Sequence, residues 1–176
     1  MNKVKILLDS DVIIHFIKGG CLSLLPKILP AYQFAILDIV LNAELRKNSA
    51  TRIQIDNHLR ILNNIEEICW KPDYEMMIEY GRLAETMGIG ESASMVYCKY
   101  HSNVLASSNL RDIKTYCEEN CITYLSTMDF LFLAHRRHIM TEQECDDFIS
   151  AVLQQGSKLP VTRLSFYIPR EEILIL

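Results

Sequence analysis

The sequence predicts an α/β protein, a three-layer α/β/α sandwich with a mostly parallel central sheet. Short apolar runs alternate along the chain with longer amphipathic segments of helical spacing, which is typical of strand–helix–strand units. The 176 residues, 49% of them hydrophobic and 23% charged, suffice for one sizeable core. No repeat or low-complexity linker interrupts them. We therefore expect one domain over residues 1–156, with a C-terminal extension, residues 157–176, packed on it.

Five short segments have the composition of buried strands, because each is a brief apolar run bounded by polar residues. They are Lys3–Leu8, Gln33–Leu37, Glu66–Trp70, Asn103–Ser107 and Ile122–Leu125.

Helices are predicted between these strands. The first, Asp11–Lys18, is ended by Gly19-Gly20, and the last begins at a capping box formed by Thr141 and Glu144 and continues to Gly156. The others are Cys21–Leu29, Ile39–Arg46, Thr51–Asn63, Asp73–Met87, Glu91–His101, Leu110–Asn120 and Thr127–His138. The tail from Ser157 has segments (VTRLSFYI, EEILIL) that we expect to be extended.

Composition limits the classes of function. The formal net charge of -4 gives no general basic character, so binding of nucleic acid requires a local basic patch or a bound cation. No apolar run approaches the ~20 residues of a membrane span, and the N-terminus lacks the apolar core of a signal peptide. None of the six cysteines forms a CxxC pair, which is typical of reduced thiols. We expect a cytoplasmic protein without a membrane partner.

Four acidic residues are predicted to meet at one edge of the sheet. Asp9 ends the first strand, Glu44 lies in the helix after the second, Glu91 opens a helix after Gly90, and Asp112 lies in the first turn after NVLAS. Ligands of parallel sheets bind beyond the carboxyl ends of the strands. Such a cluster repels itself unless a cation such as Mg²⁺ or Mn²⁺ neutralises it. We expect Asp9, Glu91 and Asp112 to be metal ligands, and Glu44 to bind directly or through water.

Other interpretations of these residues are open. Asp9 is also suited to cap the following helix, and we interpret Asp11 as a cap or an outward-facing charge rather than a metal ligand. Glu44 is compatible with an ordinary solvated helix residue. Asp112 is compatible with a surface ion-pair cluster that includes Arg111. In the functional interpretation, Arg46 and Arg111 contact substrate phosphates.

Four segments, in this order, resemble the signature segments of the PIN-domain ribonucleases. They are LLDSDVII, LDIVLNAEL, GIGESASMVYCKY and NVLASSNLRDI, and the similarity extends from Lys3 to about His138. The small proteins similar to VapC-type toxins resemble the chain most. The resemblance implies a metal-dependent endoribonuclease that acts on single-stranded RNA, with a protein antitoxin and a second copy of the chain as partners.

Carried over by position, the resemblance implies that Asp9, Glu44, Glu91 and Asp112 are the catalytic carboxylates. Asn109 stands where many members of the family have Asp. Other members have Asn followed three residues later by Asp, as Asn109 and Asp112 are here. The same comparison implies that Ser107 or Asn109 is a polar helper that orients water or phosphate.

Two rival functions follow from the same residues. The segment ILLDSDVII also fits the strand and DxDx[TV] opening of haloacid-dehalogenase-like phosphatases, in which the first Asp attacks phosphorus. No later GDxxxD-like motif accompanies it. The second rival is a PIN-like module that binds RNA or protein without cleaving, which the Asn at position 109 suggests.

Overall fold

Five parallel strands form the central sheet of the computed structural model, which describes residues 3–176; the first two residues of the predicted domain lie outside the described residues. The strands are β1 (Lys5–Leu8), β2 (Gln33–Leu37), β3 (Glu66–Ile68), β4 (Val104–Ala106) and β5 (Tyr124–Leu125), in the order β3-β2-β1-β4-β5. β1 is central, with Leu7 opposite Ala35 of β2 and Leu8 opposite Ala106 of β4. The predicted α/β/α sandwich is confirmed.

Helices cover both faces of the sheet. They are α1 (Ser10–Lys18), α2 (Leu25–Ile28, after a 3₁₀ turn at Leu22–Leu24), α3 (Asp38–Val40, continued by a π-helical turn at Leu41–Leu45), α4 (Ser49–Asp56, continued by a π-helical turn at Asn57–Ile61), α5 (Tyr74–Ala84), α6 (Ile89–His101), α7 (Leu110–Glu119), α8 (Thr127–Arg136), α9 (Glu142–Gln154) and α10 (Glu171–Leu174). The capping box predicted at Thr141 and Glu144 begins α9, with both hydrogen bonds present.

The strands β1, β2 and β4 are buried on both faces, as their continuous apolar runs require, whereas the edge strand β3 is only partly buried. The side chains of Ile6, Leu7 and Leu8 have no exposed surface. None of the described helices is both long enough and apolar enough to cross a bilayer. The six cysteines are free thiols, three of them buried.

A polar residue follows four of the strands directly. Asp9 follows β1, Asp38 follows β2, Ser107 follows β4 and Ser126 follows β5. Because all the strands are parallel, these four residues lie at the same edge of the sheet. This edge carries the candidate site.

The tail folds back onto the domain, and it is not extended as the sequence suggested. It contains a 3₁₀ turn at Leu164–Phe166 and the short helix α10. Tyr167 Oη donates a hydrogen bond of 2.6 Å to Asp129 Oδ1, and Arg170 Nη2 lies 3.3 Å from Asp129 Oδ2. Asp129 itself caps α8 through Ser126. A buried carboxylate thus joins the tail to the start of a helix.

Candidate functional site

An acidic cavity of about 290 Å³ lies at the carboxyl edge of the sheet. Five of its eight lining residues are carboxylates, and no Lys, Arg or His is among the eight. The lining residues are Asp9, Ser10, Asp11, Glu44, Gly88, Glu91, Asn109 and Asp112. The structure therefore brings together the four acidic residues that the sequence singled out, together with Asn109.

Asp9 both caps a helix and lines the cavity, so both of the interpretations that the sequence left open apply to it. Its backbone is extended (φ -86°, ψ 162°) and it is the N-cap residue of α1, where its Oδ1 accepts a hydrogen bond of 2.9 Å from Ser10 N–H. Its own N–H donates to Ala106 O of β4 at 2.8 Å. Burial, and after it the negative charge of Asp11, raise the pKa of the Asp9 carboxyl well above its usual value. Capping leaves this carboxylate at the cavity wall.

Glu44 enters the cavity from the π-helical turn after α3. Ser10 Oγ donates a short hydrogen bond to Glu44 Oε2 and so connects α1 to this turn. Gly90 permits the close approach of α6, because a Cβ at this position would lie 3.1 Å from Glu44 Oε1 and 3.2 Å from Val40 Cγ2. The absence of a side chain at Gly90 therefore lets α6 pack against the acidic residue of a neighbouring turn.

Glu91 lies in the first turn of α6, which begins one residue after its N-cap, Gly88. Only 7% of Glu91 is exposed. Burial, followed by the charges of Asp112 and Asp11, raises the pKa of Glu91 to about 7. The helix dipole favours the charged form at this position, but burial and neighbouring carboxylates outweigh it.

Asn109 orients the acidic residues that surround it. Its Nδ2 donates a hydrogen bond of 2.7 Å to Asp112 Oδ2, and its side chain partly offsets the raised pKa of Glu91. Ser107 lies beneath the cavity wall, fully buried, with its Oγ 3.4 Å from Asp11 Oδ2. The two predicted helpers thus contact carboxylates of the cluster.

The sequence interpretation of Asp11 as an outward-facing charge is wrong. Its Oδ2 accepts a hydrogen bond of 2.7 Å from Ser108 N–H, across 97 residues of chain, and its Oδ1 accepts one of 2.6 Å from Val12 N–H. Burial raises its pKa to about 6 despite these hydrogen bonds. Sequence reasoning missed it as a cavity residue, although the DxD spacing was the available signal.

A polar network continues from Asp11 into the core. Ser108 Oγ donates a hydrogen bond of 2.8 Å to Thr127 Oγ1, which lies 2.9 Å from His15 Nδ1. Burial, with Lys18 as a smaller cause, lowers the pKa of His15 to about 4. Burial thus favours neutral His15, which is hydrogen-bonded to Thr127 Oγ1. The network joins α1, the β4–α7 loop and the start of α8, three of the segments that shape this edge of the sheet.

The two arginines predicted to contact phosphate do not line the cavity. Arg46 is engaged elsewhere, since its Nη2 lies 3.0 Å from Glu67 Oε2 and its Nη1 donates a hydrogen bond of 2.9 Å to Asn42 Oδ1. Arg111 is exposed on α7. Among residues 3–176, no Lys, Arg or His therefore lines the cavity beside its carboxylates.

We tested whether the cavity residues fit a divalent cation. Within residues 3–176, no three His, Cys, Asp or Glu side chains are arranged as a ready-made metal site. Mg²⁺, however, is usually held by only one or two carboxylates with water in its remaining positions. The donors here are carboxylate and amide oxygens, which hard cations prefer, and buried Asp9 and Glu91 have raised pKa values that a nearby positive charge would lower. The residues fit a largely hydrated cation.

No family model matches the chain, and no curated protein matches it. The similarity to PIN-domain ribonucleases therefore stays a prediction that depends on the four motifs.

Proposed function

We propose that the chain is a metal-dependent endoribonuclease that hydrolyses phosphodiester bonds of single-stranded RNA. One observation carries the proposal: five carboxylates from four separate chain segments line one cavity that contains no lysine, arginine or histidine. At a pH where its members are ionised, a cluster of this kind destabilises the folded protein, and a bound cation would relieve the repulsion. Carboxylate clusters that hold divalent cations are a common means of phosphodiester hydrolysis.

In this proposal Asp9, Glu91 and Asp112 hold Mg²⁺ or Mn²⁺. When bound, such a cation supplies Lewis-acid stabilisation of the phosphate and activation of water. Glu44, fixed by Ser10 Oγ, would bind the cation either directly or through water. Asn109 holds the Asp112 carboxylate in place through its amide group.

The negative charge of the chain also affects how RNA would bind. Neither the net charge of -4 nor the acidic cavity attracts an RNA backbone. The cation therefore serves substrate binding as well as chemistry, and RNA affinity should depend on it.

Cleavage of RNA by the purified protein tests the proposal. Wild type should cut single-stranded RNA with Mn²⁺ and not with EDTA, and Asp9→Asn should abolish cutting. Asp147→Asn is the matched control, because Asp147 is an exposed carboxylate on α9 outside the cavity, and it should cut like wild type. Equal behaviour of wild type and Asp9→Asn would refute the proposal and favour a module that binds without cleaving.

The resemblance to VapC-type proteins adds a finer proposal, that the enzyme is the toxin of a toxin–antitoxin pair and that its partner is a protein antitoxin. Expression of wild type in a bacterial host should then stop growth, whereas expression of Asp9→Asn should not. Growth arrest by both forms, or by neither, would contradict a toxin acting through RNA cleavage.

A second candidate is a phosphomonoesterase of the haloacid-dehalogenase-like kind. The position of Asp11 favours it, since Asp9 and Asp11 line the same cavity, as a nucleophile and its acidic partner two residues later would. The cavity lining includes no lysine to support it. Turnover of p-nitrophenyl phosphate, with a phosphoryl group trapped on Asp9, would establish this activity instead of RNA cleavage.

A further inference from the structure

A second groove, of about 450 Å³, lies beside the acidic cavity. Its lining is Asp38, Ile39, Asn42, Ala43, Trp70 and Ile89. Ala43 and Ile89 are the chain neighbours of Glu44 and Gly88, which line the cavity. The turn after α3 and the start of α6 therefore form walls of both spaces. The volume lies in the range of small-molecule sites, about 300–1,000 Å³.

The groove combines apolar walls with the only tryptophan of the chain. Trp70 is only partly buried; it packs against the core and also lines the groove. Its ring meets Tyr80 in a T-shaped contact, with 5.8 Å between the ring centroids and 60° between the planes. Ile89 is 48% exposed at the start of α6. A flat aromatic ligand would cover these side chains.

One hydrogen-bond acceptor and one donor are fixed in the groove, four residues apart. Asp38 Oδ1 accepts a hydrogen bond of 2.9 Å from Trp70 N–H, which leaves lone pairs of the carboxylate free. Arg46 donates to Asn42 Oδ1, so the Asn42 amide nitrogen is left to donate to a ligand. Arg46 is in turn held by both carboxylate oxygens of Glu67, at 3.3 and 3.0 Å. The arginine thus fixes the orientation of an asparagine.

We propose that this groove binds the base of the RNA nucleotide that flanks the scissile phosphate. Each nucleobase has a flat face for Trp70 and an edge that carries both N–H donors and acceptors for Asp38 and Asn42. A neutral base suits a groove that contains a carboxylate and no cation, whereas a phosphate would be repelled. The assignment of this base to the nucleotide beside the scissile phosphate rests on the proposed nuclease function. The binding of a nucleobase in the groove does not.

Titration with the four ribonucleosides, in EDTA, tests the groove without metal, phosphate or cleavage. Trp70 is the single tryptophan, so its fluorescence reports on the groove directly. At least one nucleoside should quench it saturably in the millimolar range. Asn42→Ala should weaken that binding by about 3- to 10-fold, since one hydrogen bond is lost.

The matched control is Asn57→Ala, because Asn57 is also an exposed asparagine of a π-helical turn and lies outside the groove. It should bind like wild type. Absence of saturable quenching by all four nucleosides, or equal quenching of wild type and Asn42→Ala, would overturn the groove proposal.

Cleavage of RNA with Mn²⁺ by the same proteins separates the two proposals. Saturable quenching without any cleavage would refute the nuclease and leave a base-binding groove. Metal-dependent cleavage with no nucleoside response, and with unchanged cleavage by Asn42→Ala, would refute the groove and leave the nuclease.

Discussion

Replacing Glu91 by Gln should stabilise the metal-free protein increasingly as the pH rises. Burial raises the pKa of Glu91 to about 7, from its ordinary value of 4.5. Between these two pKa values the folded protein holds a proton that the unfolded chain has lost. The free energy of unfolding therefore falls as the pH rises through this window. A glutamine at this position does not titrate, so Glu91→Gln does not show this fall in the free energy of unfolding.

The expected magnitude follows from the same shift. From about pH 5 to about pH 8, the linkage of Glu91 alone lowers the free energy of unfolding by about 2.5 kcal/mol. The lowered pKa of His15, about 4, acts with the opposite sign, since stability rises as the pH rises between that value and the ordinary value of 6.5. The stability of wild type alone is therefore not diagnostic. Both proteins contain His15, so its contribution cancels in the difference between the free energies of unfolding of Glu91→Gln and wild type.

The assay is urea denaturation of both proteins in EDTA at the two pH values. Glu91→Gln should gain about 2 kcal/mol on wild type between them. Glu119→Gln is the control, an exposed glutamate of α7 outside the cavity, and its difference from wild type should not depend on pH. Saturating Mn²⁺ at the higher pH should stabilise wild type more than Glu91→Gln. A difference between the two proteins that is independent of pH would refute the assigned burial and repulsion.

Three substitutions test individual contacts, one in the polar network at the site and two elsewhere in the fold. Thr127→Val removes the hydroxyl that joins Ser108 to His15, so it should cost about 1–3 kcal/mol in urea denaturation and weaken Mn²⁺ binding in titration calorimetry. Gly19→Ala places a Cβ 2.1 Å from a ring carbon of buried Phe148 and should cost about 1–3 kcal/mol or more, measured as a lowered melting temperature. Tyr167→Phe removes one hydrogen bond from a buried carboxylate and should cost about 1–2 kcal/mol in urea denaturation.

Each of these has a control that changes the same group elsewhere. Thr123→Val and Tyr74→Phe alter exposed side chains and should change stability by less than about 0.5 kcal/mol. Gly81 lies in the middle of α5, and a Cβ there would have no atom within 4 Å beyond its chain neighbours and the backbone of its own helix. Gly81→Ala should therefore stabilise the protein by about 1 kcal/mol. Equal effects of a substitution and its control would contradict the assigned contact.

The architecture could be predicted because it depends on local patterns. Strand β2 (Gln33–Leu37) was predicted to the residue, since QFAIL is a short apolar run between polar neighbours. The segments predicted as single helices at Ile39–Arg46 and Thr51–Asn63 each change to a π-helical turn part-way. Apolar spacing does not distinguish an i to i+4 from an i to i+5 hydrogen bond.

The convergence of the acidic residues could also be predicted, because parallel strands end at the same edge of a sheet. The environment of Asp11 could not. Its partner, Ser108, is 97 residues away in the chain, and a local pattern gives no information on such a contact. Arg46 shows the same limit: its basic side chain suggested a phosphate contact, but Glu67, from another segment, binds it together with Asn42 of the same turn. Site residues held by distant partners require the folded structure.

Anomalous scattering from crystals soaked in Mn²⁺ tests directly whether the acidic cavity binds a divalent cation. We expect a manganese peak in the cavity, coordinated by Asp9 and by Glu91 or Asp112, with water as the remaining ligands. The same peak should be absent from crystals of Asp9→Asn. A cavity without a peak at saturating Mn²⁺, in crystals where the carboxylates are accessible to solvent, would contradict the metal site and with it the proposed nuclease.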